Sequence, residues 1–127
     1  MVIYTKKKYS MHNFKQLQIW QKARIFVKDI YVITKNFPKE ELFCLTQQIR
    51  RAAVSIPSNI AEGAGRNSNA DYAHFVDIAN GSAFEVETQL YLALDLEYIT
   101  QEEFEKINTD LIEIERMMYN FLLSLRK

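Results

Sequence analysis

The chain has 127 residues, with 16 Lys and Arg against 16 Asp and Glu, so its formal net charge is zero. This length predicts one domain, and the single cysteine, Cys44, excludes an intrachain disulfide and a cysteine-rich zinc site. No apolar stretch approaches the roughly 18 residues needed to span a bilayer, and the N-terminus lacks an apolar signal segment, so we expect a soluble cytoplasmic protein.

Although the net charge is zero, the basic and acidic residues are distributed unequally between the two halves of the chain. Residues 1–66 carry twelve basic and four acidic side chains, whereas residues 67–127 carry four basic and twelve acidic ones. The basic half therefore meets either an anionic partner or the acidic half. We expect residues 1–13 to form a flexible basic tail and residues 14–127 to form the domain. Met11 is an alternative start, so whether residues 1–10 belong to the native protein stays open.

The scarcity of breakers, three glycines and two prolines, predicts long helices. The first helix is expected from Phe14 to Asn36, and the proline at position 38 ends it. Its apolar residues recur at helical spacing and predict an inward face, made of Trp20, Ala23, Val27, Ile30, Tyr31 and Thr34.

The second helix is expected to begin at Pro38 and to bury an apolar line that starts at Leu42 and continues to Ile60. Pro57 lies within that line and removes one backbone hydrogen bond, which predicts a kink rather than a stop. Gly63 and Gly65 are expected to close the helix.

Two capping signals mark the remaining helices. Ser68 with Asp71 predicts the start of a third helix that reaches about Tyr98. Thr100 with Glu103 predicts a capping box at the start of a fourth, whose apolar residues from position 104 to 125 alternate by three and four as in bundle packing. The fold class predicted is all-α, an up-and-down antiparallel four-helix bundle with a proline-kinked second helix.

Three of the helices carry a second apolar line away from the predicted core. These lines comprise Phe14, Ile25 and Val32, then Phe84, Tyr91 and Tyr98, and then Ile112, Tyr119 and Leu123. A monomeric bundle of this size does not need them, whereas exposed apolar lines of this extent mark interfaces. The pattern predicts a homo-oligomer, with scattered surface apolar residues as the alternative.

The sequence lacks the motifs of the metal sites that four-helix bundles often hold. A di-iron or di-manganese bundle needs paired Glu-x-x-His motifs, but the chain has only two histidines, His12 and His74. No phosphate-binding glycine loop, dinucleotide fingerprint or nucleophile elbow occurs. We expect no catalytic residues, no metal and no cofactor.

Basic side chains provide the candidate binding residues. Lys15 and Lys22 fall on one side of the first helix, the pair Arg50 and Arg51 lies on the second, and Arg66 follows the glycines. Such clusters neutralise backbone phosphates, although acids of the third and fourth helices are equally acceptable partners.

A polar strip accompanies these bases on the second helix. Its members share one helix side, namely Arg51, Ser55, Ser58 and Glu62. It is interpreted either as a structural network at the proline or as a ligand contact.

Several segments together resemble one known family. They are Phe14, Leu17 and Ile19-Trp20, the run from Gln48 to Gly63 (QIRRAAVSIPSNIAEG), and Phe75, Ile78-Ala79, Gly81-Ser82, Glu85 and Glu87. They resemble the four-helix-bundle family of proteins encoded in intervening sequences of bacterial 23S ribosomal RNA genes. The fold is also similar to that of the accessory variability determinant of diversity-generating retroelements, which assists a reverse transcriptase.

The resemblance implies a cytoplasmic, non-enzymatic bundle that assembles as a ring, with five subunits expected, and that binds RNA or DNA through basic surfaces. One feature differs from what a nucleic-acid-binding protein of this family would be expected to have. The acidic second half of the chain offsets the basic first half, so the protein is not basic overall. The leading hypothesis is thus a homo-oligomeric RNA-binding accessory factor with Arg50, Arg51, Arg66, Lys15 and Lys22 as phosphate contacts. The alternative is a scaffold that binds a protein partner, such as a reverse transcriptase, without nucleic acid.

Overall fold

A computed structural model describes residues 13–127, so the basic tail expected over residues 1–13 lies almost wholly outside the described chain. Four helices form the fold, α1 (Gln18–Thr34), α2 (Leu45–Ala64), α3 (Asn69–Asp95) and α4 (Gln101–Leu125). Short 3-10 turns occur at Phe14–Gln16 and Lys39–Glu41. Each helix packs against the next one along the chain, and α4 returns to α1, which closes an all-helical four-helix bundle around one core.

The inward face of α1 agrees with the prediction in part, because Ala23, Ile30 and Thr34 are buried as expected. Its buried residues are Ile19, Ala23, Phe26, Ile30 and Thr34. Trp20 and Val27 instead line a groove at the border with α2, and Tyr31 is exposed on the same side. Apolar residues occupy both arcs of this helix, so the period alone could not decide which arc faces the core.

The start of α2 also differs from the prediction, because the chain makes a 3-10 turn after Pro38 and the α-helix begins only at Leu45. Glu41 explains the change. One of its carboxylate oxygens accepts a hydrogen bond from the backbone N–H of Leu45 at 3.3 Å, and the other accepts one from the Tyr98 hydroxyl at 2.7 Å. Leu42, predicted to point inward, is therefore exposed.

The C-terminal part of α2 continues as helix through Pro57 to Ala64, and the kink at Pro57 stays a prediction. Gly63 does not close the helix but lies within it, buried against α3. A Cβ at this position would come within 2.8 Å of Tyr72 Cδ1 and 2.9 Å of Phe75 Cβ. Glycine at position 63 thus allows α2 and α3 to approach closely, and Gly65 is the residue that follows the helix end.

Both predicted caps are confirmed. The Ser68 hydroxyl accepts from the N–H of Asp71 at 3.1 Å, and Thr100 and Glu103 form the reciprocal capping box at 2.9 and 3.1 Å.

Helix α3, however, ends at Asp95, before the predicted Tyr98. Glu97 has φ 62°, and the N–H of Tyr98 donates to the carbonyl of Ala93 at 2.8 Å, as in a Schellman motif. A helix end of this kind usually has glycine at the position that Glu97 holds, so the sequence did not reveal it.

Candidate nucleic-acid interface

A polar groove of about 420 Å³ opens on the bundle surface between α2 and α3. We call it the α2–α3 groove, and it is lined by Phe43, Gln47, Gln48, Arg51, Ala52, Ser55, Ser82 and Glu85. Five of these residues, at positions 47, 48, 51, 52 and 55, lie on one side of α2 because positions separated by three or four residues share a helix face. The groove therefore presents amides, hydroxyls and one guanidinium to solvent.

The floor of the α2–α3 groove is fixed by hydrogen bonds between the two helices. The Ser82 hydroxyl of α3 donates to Ser55 Oγ of α2 at 2.8 Å, and Asn59 Nδ2 donates to the same oxygen at 2.8 Å. Asn59 Nδ2 also reaches the backbone carbonyl of Ser55 at 2.8 Å. Both lone pairs of Ser55 Oγ accept hydrogen bonds in this arrangement. The Ser55 hydroxyl can therefore bind a ligand only as a hydrogen-bond donor.

Arg51 provides the positive charge of the groove. Its side chain is exposed, and within residues 13–127 no Asp or Glu oxygen lies within 4.0 Å of its guanidinium nitrogens. Glu85, on the opposite wall, accepts a hydrogen bond from Gln89 Nε2 at 3.2 Å. Arg51 thus keeps its guanidinium free for an anion, while Glu85 places one negative charge beside it.

Phe43 lies at the end of the groove next to the start of α2. Its ring is 81% exposed, which is the highest value among the exposed large apolar side chains of the described chain. An exposed phenyl ring in the same groove as an arginine is a combination that proteins use to bind single-stranded nucleic acids, by base stacking and phosphate contact. The sequence prediction missed Phe43, Gln47 and Gln48, although Gln47 continues the predicted polar strip one turn upstream.

Arg50, a predicted phosphate contact, binds within the bundle. Its Nε donates to Thr34 Oγ1 at 2.8 Å, and its guanidinium carbon lies 4.6 Å from the centroid of the Tyr31 ring. Thr34 in turn donates to the carbonyl of Ile30 at 2.7 Å. Arg50 therefore joins α2 to α1, and only its two terminal nitrogens remain for a ligand.

The other three predicted residues are separated from the groove-lining set. Lys22 Nζ pairs with Glu113 Oε1 of α4 at 3.0 Å, and Arg66 Nη2 lies 3.8 Å from Glu62 Oε1. The guanidinium of Arg66 also stacks 4.5 Å from the Phe75 ring centroid, whereas Lys15 is exposed in the 3-10 turn before α1. Of the five predicted bases, only Arg51 lines the α2–α3 groove.

Other classes of site find little support in the described part of the chain. Over residues 13–127, no three His, Cys, Asp or Glu side chains are grouped so that they could hold a metal ion. Likewise, no helix in that range is both long enough and apolar enough to cross a membrane.

The fold and the groove define a class, a four-helix-bundle protein with an arginine-bearing polar surface. Residues 15–120 match the family described as 23S rRNA-intervening sequence protein, and the chain belongs to that family.

Among solved structures, the chain is similar to a protein of unknown function from the S23 ribosomal protein family of Bacteroides thetaiotaomicron. The two are 33% identical with a TM-score of 0.76, over 82% of this chain and 94% of the other. No curated protein matches this chain.

Proposed function

We propose that the protein is a non-enzymatic, homo-oligomeric accessory factor that binds RNA through the α2–α3 groove. The observation that carries the proposal is that the exposed Arg51, free of carboxylate partners within residues 13–127, lines the same groove as the exposed Phe43. Arg51 contacts phosphate, and Phe43 stacks on an unpaired base. Because stacking needs a splayed base, the preferred ligand is RNA with single-stranded nucleotides.

The remaining features of the proposal rest on the exposed apolar lines and on the family resemblance. Exposed Ile25, Phe84, Tyr91 and Tyr119 support self-association, and the resemblance implies a ring of five subunits in the cytoplasm. A ring repeats the groove on every subunit, so one RNA can engage several grooves. The resulting avidity would offset the weak binding expected of a single groove.

The direct test is a titration of fluorescently labelled single-stranded RNA, followed by anisotropy, between about 50 and 200 mM salt. Arg51→Gln is expected to weaken binding at every salt concentration and to reduce the slope of log K against log salt by about 0.7 per lost contact. Phe43→Ala is expected to lose about 1–3 kcal/mol per stacked base with little change in slope.

Arg116→Gln is the matched control, because Arg116 is an exposed arginine on α4, and no residue of α4 lines the groove. It removes the same charge and should leave binding unchanged. Equal losses in Arg51→Gln and Arg116→Gln would show that binding depends on net charge alone and would refute a site in the groove. The same titration with single-stranded DNA tests the preference for RNA.

A scaffold that binds a protein partner is the second candidate, favoured by the apolar side chains exposed on α3 and α4. A stoichiometric protein complex that resists nuclease, together with no detectable RNA binding at low salt, would support the scaffold and refute the RNA proposal.

A further inference from the structure

Two serine side chains, one from each helix, form the floor of the α2–α3 groove. Ser55 and Ser82 are both half-buried, and their Oγ atoms lie 2.8 Å apart. The Ser82 hydroxyl donates to Ser55 Oγ, and Asn59 Nδ2 donates to the same atom. We call Ser55 and Ser82 the serine pair. It is uncharged, and the hydrogen bonds from Ser82 and Asn59 hold it in place.

These hydrogen bonds determine what the serine pair offers to a ligand. A hydroxyl group has one hydrogen and two lone pairs. Ser55 Oγ accepts two hydrogen bonds, so only its hydrogen is left, whereas Ser82 has given its hydrogen to Ser55 and keeps its lone pairs. Within residues 13–127, no further group binds either hydroxyl. The pair therefore presents one donor and one acceptor, 2.8 Å apart.

A single ligand atom that satisfies both positions must carry a hydrogen as well as a lone pair. A phosphate oxygen of a nucleic-acid backbone has no hydrogen, so it cannot bind the acceptor at Ser82. The ribose 2′-hydroxyl is both a donor and an acceptor, and DNA lacks it. It would close a ring of three hydroxyls, in which Ser82 donates to Ser55, Ser55 to the 2′-hydroxyl, and the 2′-hydroxyl to Ser82. Hydrogen bonds that run head to tail in this way strengthen one another.

Arg51 lies one helical turn from the serine pair. Four residues separate Arg51 from Ser55, which corresponds to about 6 Å along the axis of α2, and both side chains line the groove. Because sugars and phosphates alternate along the RNA backbone, a phosphate held by Arg51 brings a neighbouring ribose to the serine pair. Glu85, on the α3 side of the groove, carries a negative charge that disfavours a second phosphate there.

We propose that the serine pair binds a ribose 2′-hydroxyl and thereby makes the α2–α3 groove selective for RNA over DNA with the same bases. Ser55 and Ser82 are then specificity-determining residues, whereas Arg51 contacts a phosphate that both nucleic acids carry. This assignment rests on the RNA binding proposed above. It adds the chemical group that is recognised and the two side chains that recognise it.

The first experiment compares three labelled single strands with identical bases, by anisotropy with the wild-type protein. They are oligouridine, oligodeoxyuridine and 2′-fluoro-oligouridine. We expect the RNA to bind about tenfold more tightly than the DNA, because the DNA lacks two hydrogen bonds of ordinary net strength. Fluorine keeps the sugar conformation of RNA but has no hydrogen to donate to Ser82, so the 2′-fluoro strand should bind more like the DNA. A 2′-fluoro strand that binds as tightly as the RNA would overturn the assignment.

The second experiment removes both hydroxyls in the double variant Ser55→Ala/Ser82→Ala. Its RNA affinity is expected to fall about tenfold, to that of the DNA, while its DNA affinity stays at the wild-type value. Arg51→Gln should instead weaken both strands and keep their ratio. Ser124→Ala is the matched control, since Ser124 is an exposed serine of α4 and no residue of α4 lines the groove. An RNA preference that survives in the double variant would show that other groups read the sugar.

The outcomes separate this inference from the proposed function. A wild-type protein that binds neither strand at low salt would refute RNA binding and, with it, the role of the serine pair. Equal affinity for the RNA and the DNA would refute only the 2′-hydroxyl contact. Circular dichroism melting curves show whether the double variant has folded, and the comparison of the three strands with the wild type tests the assignment in either case.

Discussion

Two glycines of the chain should respond in opposite directions to the same substitution by alanine. In Gly63→Ala, the new methyl group lies 2.8 Å from Tyr72 Cδ1, 2.9 Å from Phe75 Cβ and 3.1 Å from the Tyr72 carbonyl oxygen. Over-packing of this kind costs about 1–3 kcal/mol, and the gain in helix propensity returns about 1 kcal/mol. The difference is a net loss of up to about 2 kcal/mol, and we expect about 1 kcal/mol. In Gly81→Ala, no atom other than those of the adjacent residues and the local helix backbone lies within 4 Å of the added carbon, so only the propensity gain of about 1 kcal/mol remains.

Urea unfolding, monitored by circular dichroism, measures the change in unfolding free energy of both variants. In thermal unfolding, each kcal/mol should shift the melting temperature by about 4 °C in a domain of this size. Gly81→Ala is the matched control, since it adds the same methyl group to a helix of the same bundle. Equal stabilisation in both variants would refute the close approach of α2 and α3 at Gly63.

Two further predictions concern charge and backbone. Because burial raises the pKa of Glu115 in the fold to about 7, above its ordinary value of 4.5, the folded state binds the proton more tightly. The free energy of unfolding should therefore fall as pH rises from about 4.5 to about 7. Glu115→Gln should remove most of that fall, as measured by urea unfolding at several pH values; an unchanged slope would show that Glu115 is not the group responsible. Glu97→Gly should stabilise the fold by about 1 kcal/mol, because φ at position 97 is 62° and glycine adopts this conformation without strain. A destabilised Glu97→Gly variant in thermal melting would contradict the left-handed conformation.

Much of the fold could be read from the sequence because its signals are local. The side chains of Ser68, Thr100 and Glu103 bind backbone groups within three residues, so the starts of α3 and α4 were predictable. The start of α2 was not, since it depends on Glu41, whose carboxylate also accepts a hydrogen bond from Tyr98 in the turn after α3. Gly63 likewise looked like a helix end until its packing against α3 was known.

The candidate site was less predictable, because it is assembled from two helices and a turn. The sequence indicated Arg51 and Ser55 as one polar strip, but it could not place Ser82 and Glu85 across from them. The sequence also could not show that Lys22 pairs with Glu113 or that Arg50 binds Thr34, because each partner lies on another helix. Base clustering alone therefore did not distinguish a structural arginine from a free one.

The central claim, RNA binding in the α2–α3 groove, is tested most directly by Glu85→Gln. This substitution removes the negative charge opposite Arg51, while the amide oxygen can still accept the hydrogen bond from Gln89 Nε2. RNA binding is expected to become tighter at low salt, with the gain reduced at high salt, because a repulsion between the carboxylate and phosphate is removed and salt screens that repulsion. RNA affinity that is unchanged or weaker in Glu85→Gln, measured in the anisotropy titration beside Arg51→Gln, would contradict the account.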